Sequence, residues 1–173
     1  MTRHSLIALT GATGILLLGG CSHPPLPAPG VDRPTPTAMV GAIRAAREQD
    51  KSVVQVTPLR DPAVDGYLDG AHADEDVGKY RDALDKVDAA LTLSPDAPDI
   101  LQFRAEIEIL LRDYPAAAAD ARRSYALGSR VGGLCASNWE TVLEIDLSDN
   151  DPAGAAQARK ARDACHKAGP VRM

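Results

Sequence analysis

GKYRDALDKVDAALTLSP, residues 78–95, decides how the rest of the chain is read, because its pattern returns thirty-four residues further on. With that shift Ala71, Tyr80, Ala83, Val87 and Ala90 fall on Ala105, Tyr114, Ala117, Ala121 and Ser124. Self-similarity at such a period marks a stacked repeat, each unit too small to bury its own apolar face. Alanine at these places lets two antiparallel helices approach closely, and a tyrosine at the start of the second helix fills the gap at the turn. A third copy appears when the shift becomes thirty-eight, which places Asp151, Pro152 and Ala155 on Asp113, Tyr114 and Ala117 and absorbs the loop GSRVGG, residues 128–133.

These positions resemble the tetratricopeptide repeat. The first helix carries a small residue (Ala71, Ala105), Gly78 and Tyr80 stand at the turn, Ala83 follows, Ala90 comes late in the second helix and Pro95 closes the unit. The second copy, 98–131, departs from the pattern at Arg112, Ser124 and Ser129; the third has Trp139 early in its first helix and Arg162 where the late alanine would stand. The resemblance covers about 64–169 and implies an all-α fold, a right-handed superhelical stack of about three helix hairpins. An unrelated alanine-rich bundle is the plain alternative.

The chain has 173 residues, 45% of them hydrophobic and 3% aromatic, so its core is expected to consist of Ala, Leu, Val and Ile. A formal net charge of −5, with no cluster of Lys or Arg interleaved with aromatics, argues against a nucleic-acid partner.

The N-terminus carries Arg3 and His4, an apolar run from Leu6 to Leu18, and then Leu18-Gly19-Gly20-Cys21. The run is too short to span a bilayer and has the layout of a secretory signal. Small residues before the cysteine resemble the lipobox of bacterial lipoproteins. That resemblance implies removal of residues 1–20, lipidation of Cys21 and a membrane anchor of two or three acyl chains such as palmitate. Ser22 after the cysteine fits sorting to an outer membrane, with the protein facing the periplasm. Ordinary secretion with a free Cys21 is the alternative.

Residues 21–37 are read as the lipidated cysteine and a tether: Ser22–Thr37 contains six prolines in sixteen residues and almost nothing to bury. Extended at ~3.1 Å per residue, it reaches ~50 Å. Residues 38–63 are read as a short helix plus an extended capping segment. Thr37 is expected to cap a helix running to Gln49, with Met39, Ile43 and Ala46 as its apolar stripe and Arg44, Arg47 and Glu48 facing water. Residues 52–59, SVVQVTPL, alternate like a strand. The pair is expected to cover the outer side of the first repeat, or else to act as an arm for oligomerisation. Asp61-Pro62 marks the start of the repeats.

With Cys21 assigned to the lipid, Cys135 and Cys165 remain as an even pair in a compartment that favours oxidation. They flank the third hairpin at places that antiparallel helices bring together, and a disulfide there would be worth ~3 kcal/mol. The sharper alternative makes Cys135 a nucleophile and His166 its base, without an orienting third group. No catalytic constellation, cofactor motif or metal-ligand spacing stands out: His4, His23, His72 and His166 are scattered, and Asp146, Asp149, Asn150 and Asp151 read as a turn capping the last helix.

In the resembled family the first helix of each repeat lines a concave face that receives an extended peptide or a partner helix. Carried onto this chain, that face comprises Asp65, Leu68, Asp69, His72, Glu75 and Asp76, then Asp99, Gln102, Phe103, Glu106, Ile109 and Leu110, then Glu140 and Glu144. It is acidic with an apolar middle. It suits a basic or apolar extended segment of another envelope protein, its anchor resting on Phe103, Ile109 and Leu110. In the alternative, the acids only keep the surface wet and the apolar three pack into a neighbouring helix. The expected function is a non-catalytic, membrane-anchored scaffold for protein–protein interaction in the cell envelope; a ligand-binding or hydrolase-accessory protein and a purely structural spacer are the other readings. Three hairpins lie near the lower limit for an isolated stack, so a partner or self-association is expected to complete it.

Overall fold

Alanine positions at spacings of 34 and 38 demand equivalent turns, and the computed structural model, which describes residues 33–52 and 59–167, contains them. Its helices are α1 (Pro36–Gln49), α2 (Pro62–Asp76), α3 (Tyr80–Leu93), α4 (Pro98–Leu110), α5 (Tyr114–Leu127), α6 (Gly133–Ser148) and α7 (Pro152–Asp163). The fold is all-α, with no strand among the described residues. Helices α2 and α3, α4 and α5, and α6 and α7 pair as three successive hairpins, with α3 against α4 and α5 against α6 between them.

Each hairpin turns on one residue in the left-handed region: Gly78 (φ 76°), Arg112 (φ 64°) and Asn150 (φ 58°). The hydrogen bonds repeat as well. Lys79, Asp113 and Asp151 each donate their backbone N–H to a carbonyl five residues back, Asp74, Glu108 and Asp146, all at 2.8 Å. This is the glycine-favouring helix stop, which satisfies carbonyls that the helix end leaves unpaired. Arginine at 112 carries a Cβ into a conformation costing ~1–2 kcal/mol for an L-residue. Arg112→Gly is therefore expected to raise stability by about 0.5–1 kcal/mol after the entropy glycine adds to the unfolded chain. Gly78→Ala should lower it by about 1 kcal/mol; urea midpoints check both.

The small residues sit where close approach requires them. Ala71, Ala83, Ala90, Ala105, Ala117, Ala121, Ala155 and Ala158 are all buried. Ser124, in the late alanine position of the second hairpin, is also fully buried and donates its Oγ to the Pro98 carbonyl at 2.6 Å. A hydroxyl thus replaces a methyl without leaving a polar atom unpaired. The turn of aspartates behaves as a cap: Asp151 Oδ1 accepts from the N–H groups of Ala153 and Gly154, at 3.1 and 3.0 Å.

Helix α1 departs from expectation. Its cap is Thr35, whose Oγ1 accepts from Ala38 N at 3.2 Å, because Pro36 fits the first helical turn and starts the helix earlier than Thr37 would. It does not cover the outer side of the first hairpin; it packs chiefly on α6 and then on α4, the first helices of the third and second hairpins. Met39, Val40 and Ile43 are buried with Ala105, Ile109, Ala117, Ala121 and Ile145. Complete burial of Met39 and Ile43 is worth about 1.5–3 kcal/mol each. The fit is close: a Cβ added to Gly133 would lie 2.6 Å from the carbonyl oxygen of Arg47. The expected strand at 52–59 lies almost wholly outside the described residues, as do the signal segment and most of the tether.

Candidate partner-binding face

The residues expected to form one open groove fall into three environments. On α2, Asp65, Asp69, His72 and Asp76 are exposed, Leu68 is buried and Glu75 half-buried. On α4, Gln102, Phe103, Glu106 and Ile109 are buried, with Asp99 and Leu110 half-buried. Glu140 on α6 is buried and Glu144 half-buried. Helix α1 accounts for much of the difference, since it lies over α4 and α6 and covers the middle of the face.

Arg44 and Arg47, expected in water, instead tie α1 to the helices beneath it. Arg44 donates Nε to Glu106 Oε2 at 2.8 Å and Nη2 to Glu75 Oε1 at 2.7 Å. Arg47 reaches Glu106 Oε1 at 3.6 Å and donates to Ser137 Oγ on α6 at 3.3 Å. Gln102 Nε2 donates to Glu106 Oε1 at 3.3 Å and to Thr141 Oγ1 at 2.9 Å. The network joins α1, α2, α4 and α6 through Glu106, whose side chain is 3% exposed. Burial works to lower the Arg44 pKa, but Glu106 and then Glu75 outweigh it and hold the guanidinium above its ordinary value. Burial likewise works to raise Glu75, yet hydrogen bonding from His72 and the charge of Arg44 hold it below the ordinary carboxylate range.

Two clefts remain open along α1. One, of about 250 Å³, lies toward α2 and is bounded by Arg44, Arg47 and Glu48 on one side and by Leu68, His72 and Phe103 on the other. The exposed His72 ring stacks on Phe103 with centroids 4.1 Å apart. The second, of about 460 Å³, lies between α1, α6 and α7. Ala42, Ala45 and Ala46 form its α1 wall, Ala136 and Glu140 its floor, and Arg162, Asp163 and His166 the opposite side.

Cys135 and Cys165 are joined, with their Cα atoms 5.6 Å apart. The bond places the end of α7 beside the start of α6, and Gly132 N–H donates to the Cys165 carbonyl at 3.0 Å. Beyond it the chain meets the end of α1: Asp50 Oδ1 lies 3.4 Å from His166 Nδ1, and Lys167 N–H donates to Ser52 Oγ at 3.0 Å. The bonded sulfur leaves Cys135 no thiolate, so the nucleophile alternative does not describe this structure.

A second polar cluster, away from α1, was not foreseen. Arg104 is held by Asp120, donating Nη2 to Oδ1 at 2.8 Å, and by Asp88 at 2.9 Å, while Glu108 lies 3.9 Å away. Burial, reinforced by the charge of Asp120 and only partly offset by Arg104, pushes Glu108 up to about 8. The folded protein therefore keeps a proton there between the ordinary pKa and about 8 that the unfolded chain releases. Stability from this group is fully present below the unfolded pKa and is lost as pH rises through about 8. Glu108→Gln is expected to flatten that fall and raise stability at pH 9 by about 2 kcal/mol, with little change at pH 4. The gain is less than the full shift because water and relaxation reach the site; urea melts at the two pH values check it. Among the described residues, no three His, Cys, Asp or Glu side chains converge as a metal site.

No helix among the described residues is long and apolar enough to cross a membrane. No protein-family model and no curated protein matches the chain. A solved structure does: the fold is similar to the globular C-terminal domain of P. aeruginosa LpoP, with a TM-score of 0.57 at 26% identity, over 61% of this chain and 99% of that one.

Proposed function

We propose that this chain is a lipid-anchored protein of the bacterial cell envelope that acts by binding other envelope proteins through its helical domain, without chemistry of its own. The observation that carries the proposal is the likeness to a bacterial globular domain that is matched over nearly its whole length. The lipobox-like run ending in Cys21 and the proline-rich stretch after it supply the anchor and the reach, and Ser22 favours the outer membrane with the domain facing the periplasm. The hairpins act as tetratricopeptide-like repeats, a scaffold whose usual work is to present a surface. Here that surface includes α1, because the family's open groove is filled in its middle by the chain's own helix.

Photoreactive residues placed one at a time at Gln49, Asp69 and Arg159 sample both sides of α1 and the exposed side of α7. In intact cells, at least one position is expected to form a discrete covalent link to another envelope protein. Cys21→Ala should release the protein from the membrane fraction and abolish the link. No link from any position, or an unchanged membrane fraction in the Cys21 variant, would contradict the proposal.

A further inference from the structure

Hairpin follows hairpin twice within the chain, α4 packing on α3 and α6 on α5, and the two ends of the stack leave that junction half made. At the first junction Leu101 and Leu91 line one cleft, and Arg104 bonds Asp88 at 2.9 Å. Further along, Leu111 lies beside Tyr80 and Asp82 at the start of α3. Shifted back by thirty-four, Leu101, Ile107 and Leu111 become Tyr67, Ala73 and Val77 of α2. These positions have no hairpin before them: Tyr67 is 42% exposed and Val77 67%. Leu93, also exposed, continues the face on α3, in line with Lys86, which lies against Gly70 of α2. An end unit of a repeat stack ordinarily turns a polar face to water. Helix α7 does so with Gln157, Arg159 and Lys160, whereas the α2–α3 end exposes large apolar side chains. Helix α1 is not their cover, since it packs on α6 and α4.

The chain therefore holds one first helix with nothing before it and one second helix with nothing after it. Their charges are opposite. Asp74, Asp82 and Asp85 surround and outnumber Lys86 at the α2–α3 end. On α7, Arg159 and Lys160 are exposed and form no ion pair among the described residues. The shifts of thirty-four and thirty-eight carry Asp88 to Lys160, so this lysine stands where Asp88 reaches across to α4. The same shifts carry Leu84, which packs in the core cluster of Ile107, to exposed Ala156. We propose that the α2–α3 end receives the last hairpin of a second copy of this chain, α7 of one copy packing on α2 of the next as α3 packs on α4, with Arg159 and Lys160 set against Asp82 and Asp85. Such complementarity fixes the choice and register of the partner more than it adds raw affinity. The contact is head-to-tail, so every added copy presents a fresh α7 and the copies form a row rather than a face-to-face pair. The row also lengthens a stack that is short for an isolated one. It does not depend on the binding of other envelope proteins proposed above.

The test places a photoreactive residue at Tyr67 or at Val77 of the full-length chain in intact cells. Each is expected to give a covalent dimer, and the attached peptide, read by mass spectrometry, reports the register. Tyr67, in the place of Leu101, should link to the end of α7 around Asp163, where the shifts put Leu91. Val77, in the place of Leu111, should link to the start of α7 around Pro152. Arg159→Glu with Lys160→Glu should lower both yields about tenfold. Adding Asp82→Lys with Asp85→Lys should bring them back to within about threefold of the original, with circular dichroism of the purified chains showing both sets of variants folded. A link to a peptide from residues 62–93 would mean that two α2–α3 ends meet and would overturn the row. So would the opposite register, no link from either position, or a yield unchanged in the folded variant carrying the two glutamates. A link from either position to a different protein would also overturn the row, while supporting the binding function proposed above.

Discussion

Glu106→Lys is expected to lower stability by about 3 kcal/mol and to loosen α1 from the hairpins. Breaking a buried ion pair typically costs ~3–5 kcal/mol, because the remaining charge is left uncompensated. The lower end applies here, since Arg44 and Arg47 keep side-chain exposures of 41% and 40% and can turn partly to water. Lysine would set a third cation between two guanidiniums and also remove one of the two acceptors of Gln102 Nε2. Urea unfolding reads the loss. Glu106→Gln, which keeps an acceptor and adds no charge, should lose clearly less. Equal losses would show that the charge at position 106 does not hold α1. The charge reversal that would test an open acidic groove is therefore informative at Asp69 and Glu144 but not at Glu106, where it breaks the fold.

Removing the disulfide by replacing Cys135 and Cys165 together with alanine should cost about 3–4 kcal/mol. In the chain-entropy model the figure follows from the 30-residue separation. The effect should not stay within the third hairpin. The bridge fixes the residues whose neighbours meet the end of α1, through Asp50 with His166 and Ser52 with Lys167. Hydrogen exchange should therefore quicken at the C-terminal turn of α1 and the N-terminal turn of α6, while α2 and α3 change little. Uniform acceleration across all the described helices would contradict this placement.

The hairpins were legible because their signals are local and repeat. A small residue, a turn position and a second small residue recur at fixed offsets, and Gly78, Arg112 and Asn150 take one backbone conformation at those offsets. Substitutions that blurred the pattern have local explanations: Ser124 bonds a carbonyl, and Arg112 accepts strain that glycine would relieve. Helix α1 was legible as a helix but not in its position. Amphipathicity identifies the buried stripe, here Met39 and Ile43, but not the surface that buries it. Arg44 looks solvent-facing until Glu106, 62 residues away, is brought beside it. A signal did exist. The expected face combined acids with an apolar centre, and the segment just before it offered two arginines beside an apolar stripe. The Arg104, Glu108 and Asp120 cluster went unseen for a related reason: Arg104 and Glu108 stand one turn apart on α4, but Asp120 and Asp88 reach them from α5 and α3.

Native-state hydrogen exchange of α1 most directly tests whether this helix is an integral part of the binding face. If it is, the amides of Val40–Ala46 exchange as slowly as those in the centres of α4 and α6, and their protection falls in Glu106→Lys. Exchange of those amides at the rate of an unprotected peptide, with α4 and α6 still protected, would show an open concave face and contradict the account.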